Sequence, residues 1–169
     1  MNAIGNVGEL ASPYFLIEVW ARRDEINIDP ETFATLKRQA RGLVRDARAA
    51  QSRGEEPEED WRARRRHLLG LDELIGQSVT LEDGTDYCLD SWRDGEGRDA
   101  LLVTDLESCA DPDHRDPGEV DPPSTRFELA LGAYRGRADW GLLLAGLDAR
   151  LYRRSSGISQ QYLALSLDA

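Results

Sequence analysis

Lysine is almost missing from this chain. Of its 21 basic residues only Lys37 is lysine, and the other 20 are arginine. Coding bias toward GC-rich codons accounts for this, because Ala, Gly and Asp are abundant as well. The two cations differ physically, so chemistry that needs an amine has one candidate, Lys37. There is no GxxxxGK[ST] segment, which excludes a P-loop. Cysteine and histidine are equally scarce. Cys88 and Cys109 form no CxxC, and His67 and His114 form no HExxH. These four match no zinc-ligand spacing. The cysteines read as reduced thiols of a cytoplasmic protein, with Cys88 half-buried in a strand. No apolar run approaches the roughly 18 residues of a membrane-spanning helix. Met1–Leu10 lacks a basic stretch followed by an apolar one, so no signal peptide is expected.

What is present suits a folded domain. The 169 residues are 40% hydrophobic and 31% charged, enough apolar material for a core. Length argues for one domain. Acids outnumber bases by 32 to 21, a formal charge of −11. That balance disfavours a free-standing nucleic-acid binder with a strongly basic surface.

Two parts of one domain are expected, a helical part over 1–70 and a mixed-sheet part over 71–169. Residues 1–12 are polar and glycine-spaced. Ser12 and Pro13 give a helix start before the apolar run Tyr14–Trp20. Asp29 and Pro30 repeat that start. From there Phe33, Leu36, Ala40, Leu43, Val44 and Ala47 draw an apolar stripe at helical spacing, with Arg38, Arg41, Arg45 and Arg48 on the solvated side. Gly54 ends this helix. Another is expected near Pro57, with acids first and arginines last.

After Gly70 the period changes to that of strands. Ser78–Leu81 and Tyr87–Trp92 flank an Asp83-Gly84 hairpin signal. A turn at Arg93–Gly97 leads to the apolar run Ala100–Thr104, which completes a meander. The stretch 107–124 holds Pro112, Pro117, Pro122 and Pro123 with several aspartates, so an exposed irregular loop is expected. Ser124 then reads as the cap of a helix closed by Gly136. Asp139–Leu144, Ala149–Arg153 and Gln161–Leu167 read as three further strands. The pattern is α+β, a mixed sheet flanked by helices.

Arg62, Arg64, Arg65 and Arg66 are the candidate phosphate contacts. The competing reading is a self-neutralised helix, through Glu58–Arg62 and Asp60–Arg64 pairs, that buries Trp61, Leu68 and Leu69.

The C-terminal third carries a resemblance. Trp140-Gly141-Leu142-Leu143 with Gly146, then Arg150-Leu151-Tyr152, then Tyr162-Leu163 with Leu167-Asp168, resembles the N-terminal region of large DNA adenine methyltransferases. These are the type IIG restriction–modification enzymes and related phage-defence proteins. Asn6–Leu16 looks like the start of some phage-defence members. The resemblance implies a nuclease-like fold of the PD-(D/E)xK kind, with the run after Ala100 as counterpart of the catalytic strand. It implies a catalytic domain beyond Ala169 that uses S-adenosylmethionine, because this segment has neither Asn-Pro-Pro-Tyr nor a glycine-rich cofactor motif. No cofactor is expected in the segment itself.

That nuclease chemistry needs two carboxylates to hold Mg²⁺ and a lysine to place water. Asp105 and Glu107 are the carboxylates available, two apart on a strand, and no lysine follows them. A degenerate site is therefore expected, with no catalytic or metal-binding residue. Three functions compete. The first is a non-catalytic N-terminal domain that positions DNA or other defence-system subunits. The second is a stand-alone acidic protein that docks its Asp-rich loop, 105–121, on a basic partner. The third is a metal-dependent nuclease using Asp105 and Glu107.

Overall fold

The computed structural model describes residues 4–7, 29–57, 60–107, 110–155, 158 and 161–166. The helix expected at 14–20 and its Ser12 cap lie outside them, as do Glu58, Cys109, Leu167 and Asp168. Among the described residues the order is β1 (Ile4–Val7), α1 (Pro30–Arg53), α2 (Trp61–Leu68), β2 (Leu74–Thr80), β3 (Asp86–Arg93) and β4 (Asp99–Asp105). Then come α3 (Pro123–Ala133), β5 (Trp140–Ala145), β6 (Asp148–Arg153) and β7 (Tyr162–Ser166). The fold is α+β, and no described helix is long and apolar enough to cross a membrane.

The strands form one sheet in the order β1-β7-β6-β5-β4-β3-β2. Every neighbouring pair is antiparallel except β4 with β5. A parallel pair cannot be joined by a tight turn, so the chain leaves β4 through the Pro/Asp loop and returns along α3. β1 is not legible in the sequence. The short run Ile4–Val7 pairs with β7, so the N-terminal part is not purely helical.

α1 begins and ends where its punctuation puts it. The Asp29 carboxylate accepts from the N–H groups of Glu31 and Thr32, Pro30 follows, and Gly54 closes the helix at φ 68°. Only Leu43, Ala47 and Ala50 are buried, and Phe33 is exposed, so the N-terminal half of the expected stripe finds no core. Arg38, Arg41, Arg45 and Arg48 are exposed, as expected. α3 corrects another reading. Its cap is Pro122, with no side-chain hydrogen bond. Ser124 lies inside the first turn and instead ties back the loop, its N–H to the Pro112 carbonyl and its hydroxyl to Asp113.

Two apolar layers sandwich the sheet's centre. On one face Phe127, Ala130 and Leu131 of α3 pack on Val79, Leu89, Leu102, Leu143 and Tyr152. On the other, Val103, Leu142, Leu144 and Ala149 gather with Leu71. β5 is buried from Gly141 to Ala145, as expected of a strand covered on both faces. Gly141 is required by this packing, because a Cβ there would stand 2.8 Å from the Phe127 ring.

The aromatic side of this core makes the fold sensitive to alkali. Burial and Asp99 push the Tyr134 phenol up to about 12, and burial pushes Tyr152 up to about 12. The fold thus favours the neutral phenols. Their contribution is intact below pH 10.0, the ordinary value, and is lost as pH rises through about 12. In an alkaline titration followed by phenolate absorbance and circular dichroism, these two tyrosines and Tyr87, whose phenol burial also pushes up, should ionise late among the five, together with loss of structure. Ionisation of all five near pH 10 with the dichroism intact would contradict this.

Candidate functional site

α2 sets the geometry of the site. Its eight residues start at Trp61, and residues four apart share a face. Trp61 is wholly buried against α1, and its Nε1–H donates to the Leu43 carbonyl at 2.9 Å. Arg65 lies one turn later on that face and is also buried, its guanidinium 4.9 Å from the Trp61 ring centroid. Arg62 and Arg66 form the adjacent row.

All three arginines converge on Asp105, the last residue of β4. Its side chain is 1% exposed. Oδ1 accepts from Arg62 Nε at 3.2 Å and from Arg65 Nη2. Oδ2 accepts from Arg66 Nε at 2.7 Å. The Asp105 carbonyl accepts from Arg62 Nη2, and Arg65 Nη1 donates to the Gly146 carbonyl in the β5–β6 turn. Gly146 takes φ 55° to make that turn. One carboxylate and one turn thereby fasten α2 across the ends of β4 and β5. Burial pushes the Arg65 guanidinium below its ordinary value, and Asp105 opposes the shift. A buried cation without its carboxylate would be costly, so the two stand or fall together.

The four sequence candidates therefore separate. Arg62, Arg65 and Arg66 meet on Asp105. Arg64 turns to the other side, 3.0 Å from Asp46 and 3.2 Å from Asp60. The expected Asp60–Arg64 pair is thus formed. Arg65 is enclosed, which assigns it to the clamp rather than to a phosphate. Leu69 is exposed, against the expectation that the helix would bury it.

The carboxylate pair expected on one strand is not formed. β4 ends at Asp105, and Glu107 lies beyond it and is exposed. Both Asp105 oxygens already accept from guanidinium groups, which leaves no room for a cation. Among the described residues no three His, Cys, Asp or Glu side chains are grouped to hold a metal. Cys88 is exposed rather than half-buried, because it faces the same open side of the sheet as its β2 partner Ser78.

The acidic loop is less free than its composition suggests. Asp113 accepts two hydrogen bonds from Arg150, both 2.7 Å, and one from Ser124 at 2.9 Å. The hydrogen bonds from Arg150 hold its carboxyl below the usual range. Asp105 and Asp113, two of the acids counted toward a docking segment, are thus committed within the fold.

Sequence reasoning misses the Arg65–Asp105 contact, although one signal for it exists. Arg65 stands four residues after a tryptophan expected to be buried, so it shares that residue's face. No family model, curated protein or solved structure matches this chain.

Proposed function

We propose that this chain is the non-catalytic, nuclease-like N-terminal domain of a DNA-modifying adenine methyltransferase of the restriction–modification or phage-defence kind. In this reading it positions DNA or partner subunits, and S-adenosylmethionine belongs to the parent enzyme's catalytic domain. The observation that carries the reading is the clamp on Asp105. Three guanidinium groups occupy the carboxylate at the end of the strand where the resemblance puts a metal-binding acid. The element order supports it. A meander, β2-β3-β4, precedes a helix and then β5, parallel to β4. Of the segments that carry the resemblance, Trp140–Leu143 lies on β5, Arg150–Tyr152 on β6 and Tyr162-Leu163 on β7, while Leu167 and Asp168 lie outside the described residues.

Two measurements test the two halves of this reading. For parentage, the test is the intact mass of the native gene product and its sequence after Ala169. The reading expects an adenine-methyltransferase segment there, and a native chain ending at Ala169 overturns it. For the absence of catalysis, plasmid DNA incubated with the chain and Mg²⁺ or Mn²⁺ should stay uncut. Metal-dependent nicking that is lost in Glu107→Gln, a residue outside the clamp, would establish the nuclease instead.

A further inference from the structure

An open cleft of about 470 Å³ lies over β2, β3 and β4, next to the clamp. Its floor is made of small, exposed residues, Gly76 and Ser78 of β2 and Cys88 of β3. The register puts them on one face, with Gly76 opposite Asp90 and Ser78 opposite Cys88. A Cβ at Gly76 would meet nothing within 4 Å, so the floor is open. Arg66 forms the wall, with Asp90 and Asp105 beside it.

Arg66 gives only its Nε–H to Asp105. Its Nη2 stands 3.8 Å from Asp90, beyond hydrogen-bond distance, and the side chain is 32% exposed. Among the described residues its Nη groups donate no hydrogen bond. Arg62 lies one turn earlier on the same row and is 42% exposed. Like charges at this spacing repel. Asp105 offsets that repulsion from the protein side. Three guanidinium groups share two carboxylates, Asp105 and Asp90, so the cluster as a whole keeps one positive charge, and Arg66 is its member that lines the cleft. A phosphate group offers the charge and the acceptor oxygens that the Arg66 fork lacks.

We propose that this cleft is a seat for a single phosphate group, held by the Nη groups of Arg66 over the Ser78 floor, with Arg62 one turn earlier on α2. An open mouth admits a phosphodiester within a chain. The choice of a nucleic-acid backbone as its source rests on the proposed function; free phosphate is the other source. The contact is local, because charges farther away than about 8–10 Å are screened at physiological salt.

Cys88 on the floor is the reporter. In the full chain carrying Cys109→Ser it is the sole thiol, and its rate of maleimide labelling is measured with a short DNA duplex, with single-stranded DNA and with inorganic phosphate. DNA of either form should slow labelling several-fold. Arg66→Gln should remove the protection and lower the salt slope of binding by about 1. Ser78→Glu, which leaves the clamp untouched, should remove the protection too. Unchanged labelling with every probe, or equal protection in both variants, overturns the seat. Protection by inorganic phosphate but by neither DNA overturns the nucleic-acid source, whether or not the native chain extends past Ala169.

Discussion

Asp105→Ala should lower the stability of the fold by about 3–5 kcal/mol, the cost of removing one partner of a buried ion pair. The loss is large because three cations lose their common acceptor at once. Arg62 and Arg66 are part-exposed and can turn to water. Arg65 cannot, since its side chain is 1% exposed and stacked on Trp61. It would stay charged and unpaired beside the Gly146 carbonyl, or α2 would detach from the sheet. For a chain of this length the loss corresponds to roughly 6–20 °C in Tm. Urea unfolding measures it, and a change below about 1 kcal/mol would mean that Asp105 is a surface acid in all but appearance. Asp105→Asn keeps an acceptor oxygen and the volume, so it should cost less than the alanine variant.

Trp61→Ala should cost a comparable amount, about 3–5 kcal/mol, for a different reason. Trp61 is the largest wholly buried side chain among the described residues and joins α1 to α2 through Leu43, Ala47 and its hydrogen bond to the Leu43 carbonyl. Its removal leaves a cavity and strips the ring from the Arg65 guanidinium. Trp61→Phe keeps a ring but loses the N–H donor, worth about 0.5–1.5 kcal/mol, and some volume. It should therefore cost less than half as much. The shift should appear in the urea midpoint with the slope unchanged, because the native state stays compact. Equal losses for Phe and Ala would place the effect in the hydrogen bond rather than in packing.

These two residues show how far the fold is legible in the sequence. Helix punctuation is clear at α1, where Asp29, Pro30 and Gly54 act through local hydrogen bonds and backbone angles. The meander is clear for the same reason, since Asp83-Gly84 needs only its neighbours, and Gly84 takes φ 84° as such a turn requires. β1 is not clear, because four residues become a strand only when β7 supplies the partner. The expected Ser124 cap fails because a distant loop claims that residue first, Asp113 accepting from its hydroxyl and the Pro112 carbonyl from its N–H. The arginine run is the hardest. Composition shows a basic patch, whereas a residue 40 and 39 positions downstream of Arg65 and Arg66 turns it into a clamp. The same sequence offers Asp105 as a metal ligand of a degenerate site. Only the placement of β4 beside α2 shows that arginines fill the space a metal would need.

Asp105 and Arg65 form one structural unit. A double-mutant cycle tests this most directly, with urea unfolding of Asp105→Asn, Arg65→Met and the two combined. Asp105→Asn alone leaves a buried cation unpaired, and adding Arg65→Met removes that cation. The clamp predicts that the double variant loses less than the two single losses together, with a coupling of about 0.5–3 kcal/mol. Losses that add to within about 0.5 kcal/mol would contradict it, and Asp105 would again be open to another role.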